Sequence, residues 1–240
     1  MADTELSEAF SRSELIWGKK AQEELARKKV YIFGIGGVGS FAAEAIVRAG
    51  VGSVVFTDAD RVVPSNLNRQ LFALSSTVGM FKTDVCVMRA KDINPAGKFE
   101  GRSVFYDEST AKDFDFSDAD FILDCIDSLG SKLLLIKNAK AAGKRIICSM
   151  GAGNKLDPSL FRIDDIEKTQ VCPLAKAVRV ALRKEGIKDV PVVYSTEPVK
   201  RAEPSSGART IGSVSFVPSC AGLMMAGYAV RSMISDVTEK

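Results

Sequence analysis

The chain has 240 residues, enough to bury a full core in one large domain or two small ones. Hydrophobic residues make up 46% and charged residues 26%, and the net charge of +3 is too mild to demand a nucleic acid while it permits an anionic partner. Histidine is absent, which excludes Ser-His-Asp and Cys-His catalysis and any histidine metal ligand, so acid–base work falls to Asp, Glu, Lys, Cys or the substrate.

In chain order, Met1 to Ser13 is polar and reads as a mobile lead, not as a signal peptide. Glu14 to Arg27 carries Leu15, Ile16, Ala21 and Leu25 and predicts one amphipathic helix. Arg12 lies just before it, where an isolated arginine is ordinarily a solvated charge. Val30 to Phe33 predicts a short buried strand. Gly34, Gly36, Gly37 and Gly39 follow as a tight turn, and Ser40 to Ala49 reads as a helix. A strand, a glycine turn and a helix in that order let backbone approach a phosphate, and the free N–H groups of the helix start attract its charge.

Ser53 to Thr57 predicts a second strand, ending in Asp58-Ala-Asp60. A carboxylate about 20 positions after the glycine turn meets a ribose hydroxyl and rejects a ribose phosphate, which favours ATP or NAD over NADP. Asn66, Asn68, Arg69 and Gln70 then fall on a short helix with Ser65 as its cap, a polar block that a plain NAD domain does not need. Lys82 sits near the start of a helix running to about Ile93. Lys98 to Phe105 predicts a third strand and Ala119 to Asp124 a fourth, which ends in Asp124-Cys-Ile-Asp127 with its carboxylates at the ligand crevice. Lys132 to Ala142 is a helix stopped by Gly143, and Arg145 to Met150 another strand before Gly151-Ala-Gly153.

In the second half, Leu160 to Ile163 and Pro191 to Ser195 read as strands, and Pro173 to Lys184 as a helix opened by its proline. Residues 196–210 read as a long mobile loop with Lys200, Arg201 and Arg209. Gly212 to Val217 reads as a last strand, followed by a last helix. The five cysteines are scattered without a C-x-x-C pair, which argues for reduced thiols and a cytoplasmic location. Cys220 falls in the first turn of the last helix, where a thiol is either activated or simply buried. Cys172 has a similar helix-start position, and Cys86, Cys125 and Cys148 read as core. Cys220 to Ile234 is too short for a membrane span and contains Arg231.

The expected fold is α/β: a Rossmann-like nucleotide-binding fold with a mostly parallel central sheet and helices on both faces. Residues 1–240 read as a single domain, with a nucleotide-binding half at 13–153 and a substrate-side half at 154–240.

The glycine turn, Asp58 with Asp60, Ser65-Asn-Leu-Asn-Arg-Gln70, Lys82 and Asp124-Cys-Ile-Asp127 together resemble the adenylating superfamily of ThiF, MoeB and the ubiquitin-activating enzymes. The resemblance implies ATP and Mg²⁺. Gly34, Gly36, Gly37 and Gly39 would border the nucleotide, Asp58 and Asp60 its ribose, and Asn66 and Gln70 its phosphates. Arg69 and Lys82 would supply fixed positive charge, and Asp127 would hold Mg²⁺. Arg12 would reach across a homodimer into the partner's site, although Ala9 stands where the family often has a second arginine. Some members pass an acyl group to a cysteine, the role Cys220 would take.

Within that superfamily, Phe33 to Ser40, Ile93-Asn-Pro95, Gly151-Ala-Gly153, Ile166 to Thr169, Cys172 to Lys176 and Val193 to Glu197 resemble the tRNA threonylcarbamoyladenosine dehydratase branch. This implies adenylation of the threonyl carboxylate of the modified adenosine, then ring closure by its own carbamoyl group, which proximity assists without a histidine. The implied partners are tRNA carrying threonylcarbamoyladenosine and cysteine-desulfurase or sulfur-relay proteins. The alternative is an activator of a small ubiquitin-like sulfur carrier, but the C-x-x-C zinc pairs usual there are missing. An NAD oxidoreductase leaves Asn66 to Gln70 and Lys82 unexplained, and a scaffold without catalysis leaves the whole charged set unexplained.

Overall fold

The computed structural model describes residues 8–198 and 211–238. Seven strands form one sheet: β1 Lys29–Phe33, β2 Ser53–Thr57, β3 Lys98–Arg102, β4 Phe121–Asp124, β5 Ile146–Ser149, β6 Phe161–Asp165 and β7 Pro191–Ser195. Their order across the sheet is β3-β2-β1-β4-β5-β7-β6. Neighbours run parallel from β3 to β7, and β6 alone is antiparallel. This is the expected mostly parallel α/β sheet.

The helices are α1 Ser11–Trp17, α2 Lys19–Leu25, α3 Gly39–Arg48, α4 Lys82–Ile93, α5 Leu129–Ala141, α6 Pro173–Lys184 and α7 Phe216–Thr238. Two cores follow from strand alternation. Val30 and Ile32 of β1 join the core built with α2, α3, α4 and α7. Tyr31 and Phe33 face the other way, into the core built with α5, α6 and the aromatic loop of Tyr106, Phe114 and Phe116. A strand covered on both faces has no polar side to keep, so β1 reads as an unbroken apolar run.

The structure corrects several boundaries. The single helix expected over 14–27 is two short ones, broken at Gly18. Gly18 has φ 85° and ψ 159°, a region essentially reserved for glycine. Leu15 and Ile16 are 85% and 84% exposed, so the apolar pattern spanning the break does not mark one buried stripe. β3 ends at Arg102, three residues before Phe105.

No strand forms over 212–217; residues 211–214 are irregular and α7 begins at Phe216. Both sides of β7 are already taken by β5 and β6. Pro218 is the third residue of α7, where a missing N–H costs nothing because first-turn donors have no intrahelical partner. Of the expected loop at 196–210, residues 199–210, with Lys200, Arg201 and Arg209, lie outside the described residues. Among the described residues no helix is long and apolar enough to cross a membrane.

Candidate active site

From β1 the chain winds outward through β2 and β3, then returns to β4 on the other side of β1. Ligands of open α/β sheets bind at that reversal, outside the carboxyl ends of the strands. The glycine turn sits there. Gly34 has φ 84°, and a Cβ on it would lie 2.7 Å from the Cys125 carbonyl oxygen. Gly39 is tighter still, since its Cβ would lie 1.8 Å from the Gly34 oxygen. A Cβ on Gly37 would touch the Pro218 ring at 3.2 Å and the Arg69 Cγ at 3.5 Å. Gly36 alone faces open space, with nothing within 4 Å.

The donors of this turn divide into two sets. Gly34 N–H donates to the Thr57 carbonyl at 2.8 Å, and Ile35 N–H to Asp58 Oδ2 at 2.6 Å. The amides of Gly36, Gly37, Val38 and Gly39 donate to no acceptor among the described residues. A run of unpaired donors at the start of α3 is an anion cradle, since amide N–H groups and the helix dipole act together there.

Asp58 directly follows β2 and fastens the turn. Its Oδ2 accepts from Ile35, and its Oδ1 accepts from Asp60 N–H at 2.8 Å. A carboxylate oxygen has two acceptor sites, so Oδ2 keeps one for a further donor. The buried Lys82 opens α4 and places Nζ 2.6 Å from Asp60 Oδ2 and 3.4 Å from Asp58 Oδ1. Asp58, Asp60 and Lys82 therefore form one charged group beside the turn.

The polar block at 65–70 is not a capped α-helix. Pro64–Asn66 is one 3-10 turn, with Ser65 inside it, and Asn66 Oδ1 accepts from Val63 N–H at 3.2 Å in the capping role. Asn66 and Gln70 are buried, and the Gln70 side chain makes no hydrogen bond among the described residues. Arg69 is half-buried. Its Nη1 donates to the Ser65 carbonyl at 2.8 Å and to Asn68 Oδ1 at 2.9 Å, which leaves Nη2 and Nε for an anion. Asn68 Nδ2 donates to the Ser213 carbonyl at 3.0 Å, tying this block to the chain leading into α7.

Beyond β4, Asp127 is exposed and makes no hydrogen bond or ion pair among the described residues. The other carboxylate expected at the crevice, Asp124, is instead fully buried. Its Oδ2 meets Lys132 Nζ at 2.7 Å, with both side chains 0% exposed, and its Oδ1 accepts from Ile126 N–H at 3.0 Å. Burial pushes the Asp124 carboxyl up even though the Lys132 ammonium pulls it down. The pair secures the turn that carries Asp127. Lys132 was not among the expected site residues. Its signal was a lysine in register with Leu135, Ile136 and Ala139 on the buried stripe of α5.

Mg²⁺ prefers one or two carboxylates together with substrate phosphates and waters. Among the described residues no group of three or more His, Cys, Asp or Glu forms a metal cage. A lone open carboxylate such as Asp127 fits that requirement and would be the residue to hold the ion.

Arg12 is not brought to this site. Phe10, just before α1, lies against Gly50, 3.3 Å from the position of its absent Cβ. Gly50 precedes β2, at the end of the sheet opposite Asp58. Cys220 is the fifth residue of α7, past the first turn, and is half-buried against the core. Cys172 caps α6 and is buried. Cys86 and Cys148 are buried and Cys125 half-buried; desolvation pushes all three thiols up.

This architecture is shared with known proteins. A tRNA threonylcarbamoyladenosine dehydratase of Bacillus subtilis is 43% identical, with 96% of both chains covered. The crystal structure of the E. coli tRNA N6-threonylcarbamoyladenosine dehydratase in complex with AMP superposes with a TM-score of 0.89 at 29% identity, covering 97% of this chain and 96% of that one. Its complex with ATP gives 0.88. An adenylyltransferase and sulfurtransferase of Emericella nidulans is 34% identical over only 55% of this chain and 27% of its own. The ThiF family model matches residues 10–240, a span that holds the glycine turn, the charged group beside it and Asp127: the chain belongs to the ThiF family.

Proposed function

We propose that this protein is an ATP-dependent tRNA threonylcarbamoyladenosine dehydratase. The threonyl carboxylate attacks the α-phosphorus of ATP and pyrophosphate leaves. The neighbouring carbamoyl group then attacks the activated carbonyl and AMP leaves, so the base has lost one water. The observation that carries this reading is the run of free amides from Gly36 to Gly39, flanked by Arg69 and Lys82. A fixed set of donors and cations of this kind binds a triphosphate and takes up the charge that grows on departing pyrophosphate.

Each side chain then has a task. Asp58, supported by Asp60, binds the ribose hydroxyls. Gln70 and Asn66 orient the phosphates. Lys82, held between two carboxylates, meets the phosphates. Asp127 would hold Mg²⁺, which supplies positive charge against the phosphates when bound. Arg12 lies at the far end of its own sheet and completes the site of the partner in a homodimer. Lys200, Arg201 and Arg209 contact tRNA phosphates. A cysteine-desulfurase or sulfur-relay protein is a further partner, and Cys220 is the thiol that would accept an acyl group. ATP and tRNA are both met in the cytoplasm, where the reaction takes place.

The test is direct. Protein, ATP, Mg²⁺ and tRNA bearing threonylcarbamoyladenosine are incubated, and the nucleosides are analysed by mass spectrometry. The expected product is an adenosine lighter by one water, with AMP released in equal amount. Arg69→Ala and Asp127→Ala should each lose at least about 100-fold in rate, the scale of removing one fixed charge from a transition state. Pyrophosphate exchange driven by a protein ending in Gly-Gly, and not by the tRNA, would replace this reading with that of a sulfur-carrier activator.

A further inference from the structure

The helices on the two faces of the sheet differ in charge. α5 and α6 pack side by side over one face, and neither contains Asp or Glu. α6 carries Lys176, Arg179, Arg183 and Lys184, and α5 carries Lys132, Lys137 and Lys140. On the other face, α3 sets Glu44 against Arg48, and α4 sets Asp84 and Asp92 among Lys82, Arg89 and Lys91.

Not all of that charge is available. Lys132 is buried against Asp124, Lys137 pairs with Glu185 at 3.0 Å, and Arg183 pairs with Glu167. Among the described residues Lys140 donates to the Asp189 carbonyl and Arg179 to oxygens of Ile166 and Thr169, and the Arg179 charge also acts on Glu167. Lys176 and Lys184 are exposed and make no hydrogen bond or ion pair among the described residues; Lys188, in the loop after α6, is exposed as well, and its charge acts on Glu167.

The direction of α6 gives this charge a use. Its first turn lies against Gly151, whose missing Cβ would sit 3.6 Å from Cys172 Sγ. Gly151 follows β5, so α6 begins at the carboxyl end of the sheet, where the candidate active site also lies. From there α6 runs down the flank of the molecule. Lys176 and Lys184 are separated by about 12 Å along the axis at 1.5 Å per residue. That length spans several phosphates of one strand. Exposed apolar surface on α6 is confined to Val180 among its large side chains, which does not suit insertion into a lipid surface.

We propose that the α5–α6 face is a binding platform for the sugar–phosphate backbone of the tRNA, with Lys176, Lys184 and Lys188 as its phosphate contacts. This rests on the dehydratase reading and adds the surface that carries the body of the substrate while the modified base occupies the crevice. Contacts of this kind position an RNA without reading its sequence.

The test uses the full chain with Lys176→Gln, Lys184→Gln and Lys188→Gln combined. A control variant on the opposite face combines Lys19→Gln, Lys20→Gln and Lys91→Gln. Binding of the modified tRNA is measured by fluorescence anisotropy across a salt series, beside ATP affinity and steady-state dehydration. The expected result for the α6 variant is a salt slope shallower by about 2–3 and a tRNA KM raised about tenfold or more. Its kcat and ATP affinity, and all properties of the control, should stay unchanged. An α6 variant that binds tRNA with the wild-type slope and KM overturns the platform while leaving the dehydratase reading standing. A wild-type protein that neither binds the tRNA nor removes water from it overturns both, and equal losses in the two variants reduce the effect to general charge.

Discussion

Gly36 and Gly39 occupy one turn under opposite constraints. At Gly39 a methyl group would lie 1.8 Å from backbone, so Gly39→Ala must open the turn and should lower the melting temperature as well as nucleotide affinity. At Gly36 there is room, and the added methyl would project into the space where the free amides point. Gly36→Ala should therefore melt like the wild type yet bind ATP at least about tenfold more weakly, a loss of ~1.4 kcal/mol by calorimetry. The thiols invite a second residue-level test. Cys86 and Cys148 are buried and held above the ordinary thiol range, so alkylation of the native protein at neutral pH should spare them and mark Cys220 sooner, as read by peptide mass spectrometry. At this scale the sequence is most informative where chemistry forces a residue type. The glycines and Lys82 were visible because no plain surface turn needs that combination. Asp124 was misplaced because a strand end points one carboxylate outward and another inward, and the letters alone do not say which.

Among elements, the link between β4 and α5 rests on Asp124 and Lys132. Removing one partner of a fully buried ion pair leaves an uncompensated charge, which costs about 3–5 kcal/mol. Lys132→Met should cost that much in urea unfolding, and Asp124→Asn combined with Lys132→Met should recover most of it. On the other face, α3 and α4 are joined through Glu44, which accepts from Arg89 at 2.7 and 2.8 Å and from Arg48 at 2.7 Å. Burial raises the Glu44 carboxyl, but the two arginines outweigh it and hold it below its ordinary 4.5. A carboxylate with a lowered folded-state value contributes stability in full above the unfolded value and loses it as pH falls through the lowered one. Melting temperature should thus fall more steeply below about pH 4.5 in the wild type than in Glu44→Gln. Elements with strong local signals were legible: β2, α4, α6 and β7 occur at the expected residues. The division of the first helix depended on Gly18 taking a positive φ, and the start of α7 on a sheet already filled, neither of which is written locally.

At the scale of the molecule, alternation along β1 supplies two cores, and the strand order supplies one crevice at the switch between β1 and β4. Alternating strands and helices made the parallel sheet legible from sequence. The difference in charge between the helices of the two faces was not, because it requires knowing which helices share a face. Nor does the sequence disclose how the last helix is used. Gly222 of α7 approaches so closely that a Cβ there would lie 2.2 Å from the Val38 carbonyl, Pro218 covers Gly37, and Met225 lies 3.8 Å from Cys125. Residues of α7, made well after the glycine turn, thus complete the pocket that the turn begins. A ribosome-bound polypeptide that has not yet released α7 should be unable to hold ATP, and a chain stopped at residue 210 should show none in equilibrium dialysis. Nascent copies would then stay inert until α7 has emerged and docked.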